Sequence, residues 1–359
     1  MCTIAGFAGK RRAAPILIEM MKKEEFMDGG LSTGIATVHE GKLYTRKVTG
    51  DLQTLLDTTD AAELPGNVGI IHSRTAGNLV SHAHPFTSAD GELAIVLNGT
   101  LREVKSPEFF AASNKIMRGF YEKGVHIDSA YKSSKESPPS VLPNGLAYHD
   151  SEPYALMMGE YLEGSRDIKA DITSAMLDAL SRLTADIVVL AVHAKLPDTI
   201  TLGTITRPMN YGSANGESYL STSAIAFPED VQRNPIIAIP PTSVARVTPE
   251  GISFTSQRIE GVRVEQIDYR VAAYIHGEME KLLKKGHIGV PEMPCYDDWR
   301  GIWSEPSVEC KFANPTGLLK PYATILYEGL WSFHKEGRLK SAIEKNAKGE
   351  NILRFWLED

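Results

Sequence analysis

Met1-Cys2-Thr3-Ile4-Ala5-Gly6-Phe7 opens the chain, and its reading turns on Cys2. Loss of Met1 makes Cys2 the N-terminus, so that one residue carries both a thiol and a free α-amine. The amine titrates near ~7.7–8.0 and the thiol near ~8.5 in model compounds. The amine is therefore able to take the thiol proton at neutral pH. Covalent catalysis of this kind uses an N-terminal nucleophile whose base is its own amine. Residues 2–8 read as a buried strand.

The stretch from 69 to 100 adds to this. Gly69-Ile70-Ile71-His72-Ser73-Arg74-Thr75-Ala76-Gly77-Asn78 is followed by His82-Ala83-His84-Pro85-Phe86, then by Leu93-Ala94-Ile95-Val96-Leu97-Asn98-Gly99-Thr100. An apolar β-rich run ending in Asn-Gly reads as a buried strand and a tight turn. An Asn amide and a Gly N–H placed together point two donors at one spot, which is what an oxyanion hole requires. An ordinary hairpin turn uses the same pair, and the residues alone leave both readings open.

Taken in order, Met1-Cys2, His72-Ser73-Arg74, Ala83-His84-Pro85-Phe86 and Asn98-Gly99 resemble the class II glutamine amidotransferase domain, an N-terminal-nucleophile hydrolase. The likeness is greatest to the glutaminase half of glucosamine-6-phosphate synthase. Gly29-Gly30-Leu31-Ser32-Thr33-Gly34-Ile35-Ala36, His149-Asp150-Ser151-Glu152 and Gly216-Glu217-Ser218-Tyr219-Leu220-Ser221-Thr222-Ser223 are similar to further segments of that domain. The resemblance covers residues 1–260. It implies hydrolysis of the glutamine side-chain amide to glutamate and ammonia, with Cys2 as nucleophile and Asn98 and Gly99 holding the oxyanion. It also implies Arg74 on the substrate α-carboxylate and Asp150 on the α-amine. The ammonia would pass to an unidentified acceptor, which could be a separate protein. The bland alternatives are a surface ion pair for Arg74 and a plain helix cap for Asp150. His72 and His84 read as loop-bracing hydrogen-bonders, and His149 and Glu152 as capping residues.

The substrate loop departs from the family. Its Arg-Trp-Ala-Thr-His is Arg74-Thr75-Ala76-Gly77-Asn78 here, Asp28 stands where the family has Arg, and Leu31 where it has Asp. Two rival readings follow: an N-terminal-cysteine amidase acting on another small amide, or a catalytically idle regulatory module.

Composition bounds the rest. Among 359 residues the net charge is −7, which argues against nucleic acid or an anionic membrane as partner. Ile187-Val188-Val189-Leu190-Ala191-Val192 is far too short to span a bilayer. Lys10-Arg11-Arg12 and Glu19 break up the N-terminal apolar runs, so no signal peptide is read and a cytoplasmic protein is expected. Three cysteines, Cys2, Cys295 and Cys310, make neither a disulfide framework nor a metal-ligand spacing. No phosphate-loop or dinucleotide fingerprint occurs, so no cofactor is expected. A homo-oligomer is left open.

The pattern along the chain predicts an α+β fold. Helices are expected at 15–27, 107–123, from Asp150, and at 172–183. Strands are expected at 33–39, 42–48, 68–72, 92–97 and in short runs from 186 to 256. The resemblance implies a four-layer αββα sandwich. Residues 261–359 are expected to form a mostly helical extension, with helices at 271–285, 318–333 and 338–345. The synthase's sugar-isomerase half is not seen in them. Their aromatic residues (Trp299, Trp303, Tyr322, Tyr327, Trp331, Phe333, Trp356) read as core or as a docking surface.

Overall fold

Along β1 (Thr3–Ala8), Ile4 and Ala8 alternate with Ala5 and Phe7, because successive strand side chains point to opposite faces. Both faces are buried, so the strand that carries the chain's start sits inside a sheet, between two layers. The computed structural model describes residues 2–77, 79–99, 107–264, 269–293 and 322–358, and it places β1 in the interior of a seven-stranded sheet. The order is β11 (Ile237–Ala238), β9 (Asn210–Ala214), β10 (Glu217–Ser221), β1, β4 (Val68–Arg74), β2 (Ser32–His39) and β3 (Lys42–Thr49). A six-stranded sheet runs β13 (Gly251–Phe254), β12 (Ser243–Thr248), β8 (Ile200–Thr204), β7 (Ile187–His193), β6 (Leu93–Gly99) and β5 (Phe86–Thr87).

Three apolar seams join four layers. Ile4, Val38 and Ile70 of the first sheet meet Val96, Val188 and Leu190 of the second. Behind the first sheet, Phe7, Ile35 and Ile71 pack on Leu17, Met20 and Met21 of α1 (Ala13–Asp28). Behind the second, Ile95, Leu97 and Val189 pack on α3 (Pro107–Glu122), α4 (Glu152–Leu162) and α5 (Ile168–Arg182). A short α2 (Leu52–Thr58), capped by Asp51, joins the first helical layer. The αββα order is the one the resemblance implies.

The extension holds two helices, as expected, and a sheet that was not. α7 (Tyr269–Lys285) and α8 (Tyr322–Lys335) pack with β14 (Ile288–Gly289), β16 (Asn351–Leu357) and β15 (Leu339–Lys345). The expected helix at 338–345 is β15, which pairs with β16 from Leu339↔Leu357 to Lys345↔Asn351. Asn346 Oδ1 accepts from the Lys348 and Glu350 N–H groups and turns this hairpin. Met27 of α1 lies in the same apolar cluster as Ile275, Met279, Leu326 and Phe355. His334 of α8 also hydrogen-bonds Gln232 of α6 (Glu229–Gln232), at 3.1 Å. Tyr327 and Phe333 are buried, and Trp331 packs on the α1 cluster. These aromatic side chains complete the fold and offer no docking face. Trp356 stacks on His287 at 4.0 Å. Trp299, Trp303, Cys295, Cys310 and the Tyr322 side chain lie outside the described part. No described helix is long and apolar enough to cross a membrane.

Candidate active site

The register of β1 against β4 builds the site. Thr3 pairs with Ser73 and Ile4 with His72, so one step on, Cys2 stands opposite Arg74. Cys2, His72 and Arg74 therefore share the face that looks across to the six-stranded sheet. From that sheet Asn98, fully buried, donates its Nδ2 to the Cys2 carbonyl at 2.5 Å. Gly99 is next to it at the end of the strand. Asn98 and Gly99 do not form a turn: they continue β6, pairing with Val188 and Ile187 of β7. Asn98 reaches Cys2 because the two sheets stack, and strand pattern alone does not reveal which sheets face each other.

Cys2 is half-buried, and its Sγ lies 3.9 Å from Thr75 Oγ1. Burial pushes the thiol up. The approach of the His72 side chain and the charge of its ring, followed by the charge of the chain's amino terminus and a bond from the Thr75 backbone, outweigh this, and the thiol comes down to about 6. Neither ring nitrogen of His72 completes a hydrogen bond of good geometry.

Arg74 is half-buried, and burial lowers its pKa. Its Nη1 makes two long bonds, 3.4 Å each, to the Ala76 and His82 carbonyls. Among the described residues it has no ion pair, so the surface-salt-bridge reading does not apply. Asp150 is buried, and the Ser140 hydroxyl donates to it. It does not cap α4; the cap is Ser151, one residue later. Arg74 and Asp150 lie within electrostatic reach of each other.

The altered loop has a local cause. A β-carbon at Gly77 would lie 1.7 Å from the Leu31 carbonyl oxygen, so only glycine lets the loop press on Leu31. Ser32 Oγ donates to the Ala76 carbonyl at 3.0 Å and pins it there. In front of Thr75 lies a cleft of about 340 Å³ between the α1 C-terminus, residues 29–31 and the β15–β16 hairpin of the extension. Asn78 and Thr100 lie outside the described residues.

The histidines differ from the sequence reading. His72 and His84 brace no loop: all four of their ring nitrogens are buried without a hydrogen-bond partner. His149 Nδ1 accepts the Ser151 N–H at 3.2 Å, a capping contact. Glu152 holds the 128–129 backbone, accepting from Asp128 N at 2.7 Å and Ser129 N at 3.1 Å. Among the described residues no group of three or more His, Cys, Asp or Glu is placed to hold a metal.

No family profile matches the chain. Curated relatives do. Glutamine–fructose-6-phosphate aminotransferase (isomerizing) of Leifsonia xyli is 27% identical over 351 residues, covering 90% of this chain and 52% of the relative. The enzyme of that name from Pyrococcus horikoshii is 27% identical over 230 residues, 63% of this chain and 33% of its own. The chain is a homologue of glutamine–fructose-6-phosphate aminotransferases. It spans a third to a half of the length of these curated relatives. The Leifsonia match covers too much of the chain to stop at residue 260. In fold, the chain is similar to glutamine phosphoribosylpyrophosphate amidotransferase of B. subtilis, with a TM-score of 0.53 at 17% identity, covering 73% of this chain and 50% of that one. A second solved structure, the allosteric regulatory enzyme of purine biosynthesis, scores 0.52 at 17% identity over 72% of this chain and 49% of its own. The four-layer fold expected from the resemblance is thus one the chain shares with these two enzymes.

Proposed function

We infer that this amidotransferase homologue hydrolyses the side-chain amide of glutamine through Cys2 once Met1 is removed. The observation that carries this is the Asn98 amide, which crosses from the second sheet to reach the Cys2 carbonyl. Cys2 Sγ attacks the amide carbon, and the resemblance assigns the base to its own α-amine. Asn98 Nδ2 and the Gly99 N–H receive the developing oxyanion; losing one such donor typically lowers turnover by ~10²–10³. Arg74 takes the α-carboxylate with its planar fork, and Asp150 takes the α-amine. Ammonia leaves, water cleaves the thioester, and glutamate is released. The ammonia goes to an acceptor, or to a partner protein, whose identity the site does not define.

The packing of Gly77 on Leu31 favours a second reading, an amidase of the same mechanism for another small amide. Comparing turnover of glutamine with that of asparagine and simple primary amides separates the two. The main test is mass spectrometry of the native protein after incubation with an electrophilic glutamine analogue. One adduct on Cys2, with Met1 gone, is the expected result; undiminished glutamine hydrolysis in Cys2→Ala would refute the assignment.

A further inference from the structure

Gly99, the second oxyanion donor of the proposed hydrolysis, is backed by a buried ion pair. Ala194 N–H donates to the Glu92 carbonyl at 2.7 Å, one pair before Leu93↔His193. Bonded and unbonded pairs alternate along an antiparallel ladder, so Asn98↔Val188 is bonded and Gly99↔Ile187 is not. Ile187 turns its carbonyl to the other side, where it accepts from Ile205 N at 2.9 Å. The Gly99 N–H therefore faces away from β7. What fixes its place is the backbone it rests on. A β-carbon at Gly99 would lie 2.6 Å from the Asp186 carbonyl oxygen and 2.5 Å from Ile187 Cγ2, so β6 ends pressed against the first peptide of β7.

Arg207 grips that peptide. Its Nη2 lies 2.5 Å from Asp186 Oδ2. Its Nε makes a longer contact, 3.4 Å, to the Asp186 carbonyl, the same oxygen that Gly99 rests on. The Thr206 hydroxyl donates to the other carboxylate oxygen, and Thr204 Oγ1 donates to the Arg207 carbonyl at 2.9 Å. Both side chains are withdrawn from water, with 4% of Arg207 and 14% of Asp186 exposed. An ion pair this deep adds little net stability, because desolvating two charges costs about as much as their attraction contributes. Its geometry is the more telling property, since the guanidinium is a rigid planar fork.

We propose that Arg207 is a positioning residue of the oxyanion hole: by clamping the Asp186 carboxylate and carbonyl, it holds Gly99 with its N–H toward the developing oxyanion. The proposal rests on the hydrolase reading, which puts Asn98 and Gly99 at that oxygen. A preorganised donor is effective because nothing rearranges when the charge develops. Asn98 is braced through its own bond to the Cys2 carbonyl. Gly99 has no side chain to brace it, so the anchor of its neighbour does so. Arg207 acts only through Asp186 and takes part in no bond-making step.

Removing one partner of a buried pair leaves an uncompensated charge and endangers the fold, so the variant to test is Asp186→Asn/Arg207→Met, which removes both. Glutamate release by the full chain is measured together with the affinities of two probes. Glutamate reads the ground state. Glutamate γ-semialdehyde takes the Cys2 thiol across its carbonyl, forming an S–C bond and passing the thiol proton to oxygen, so it reads the oxyanion hole. A group misplaced by about 1 Å lowers turnover on the order of 10²-fold. Both kcat and semialdehyde affinity should therefore fall about 10- to 100-fold, while KM and glutamate affinity change less than about threefold. Arg207→Lys keeps the charge without the fork and should fall between. A folded double variant with wild-type kcat and semialdehyde affinity overturns the proposal. So does one whose glutamate affinity falls as far as its semialdehyde affinity, because the pair then supports the site as a whole. If the double variant does not fold, Arg207→Lys decides, and an unchanged kcat there overturns the proposal. The NMR shift and hydrogen exchange of the Gly99 amide need no substrate. The shift should move and exchange should quicken in the variant; an unmoved amide overturns the clamp. A Gly99 amide that moves in a protein that leaves glutamine intact upholds the clamp and refutes the hydrolase reading, so the two fail separately.

Discussion

Arg74 offers the sharpest test of how substrate is held. Among the described residues its guanidinium makes only two contacts to carbonyls, 3.4 Å each, longer than the 2.7–3.2 Å of a sound N–H···O bond. Replacing it therefore breaks little inside the free protein. In the complex it would lose a forked, charge-assisted pair with the α-carboxylate, worth roughly 1.5–3 kcal/mol. At about 1.4 kcal/mol per factor of ten, Arg74→Ala should raise KM for glutamine about 10- to 150-fold. Arg74→Lys keeps the charge but not the fork, and should fall between. Stability should change by less than about 1 kcal/mol, since no ion pair is lost among the described residues. The assay is steady-state glutamate release, with a urea unfolding curve for each variant. An Arg74→Ala protein that is folded and keeps its KM would show that the carboxylate is bound elsewhere, or that the substrate has none.

Asn98→Ala should lower kcat by ~10²–10³ with a smaller change in KM; equal loss of fold and activity in a thermal melt would mean that its bond to the Cys2 carbonyl is structural. Gly34→Ala forces a β-carbon to within 2.1 Å of the His84 oxygen. It should destabilise the protein by about 1–3 kcal/mol in urea, and an unchanged midpoint would refute the close packing. Glu24 is buried, and burial lifts its carboxyl to about 8, against the pull of its bonds from Ser221 and Ser223. An acid whose folded pKa is raised stabilises most below its unfolded value of 4.5 and loses that stability as pH climbs to 8. Between pH 5 and 8 the wild type should lose about 4 kcal/mol that Glu24→Gln keeps, at about 1.4 kcal/mol per pH unit. A difference between the two proteins that stays flat with pH, measured by urea unfolding, would contradict this.

Much was legible in the chain because it is local. The alternation of β1, the Glu40-Gly41 turn between β2 and β3, the helix of α1 and the run of β6 follow from periods of two and 3.6 and from turn residues. The order of short motifs pointed to the αββα fold and to Cys2, Arg74, Asn98, Gly99 and Asp150 as a group. Other features depend on which surfaces meet. The 338–345 segment is a strand because β16 pairs with it; its own residues suit a helix about as well, and only Asn346 and Gly349 mark the hairpin. Asn98 reads as a turn residue until the stacking of two sheets brings its amide to Cys2. Glu24 and Glu25 look like the polar face of α1, yet both are buried, and Glu25 accepts from Ser73, Thr33 and Leu52. His72 and His84 look like bracing residues, because no sequence shows that a ring nitrogen lacks a partner. Periodicity specifies how a segment lies on its own axis. Contacts between segments far apart in the chain decide which polar groups are buried, which are satisfied, and which are left facing the sulfur.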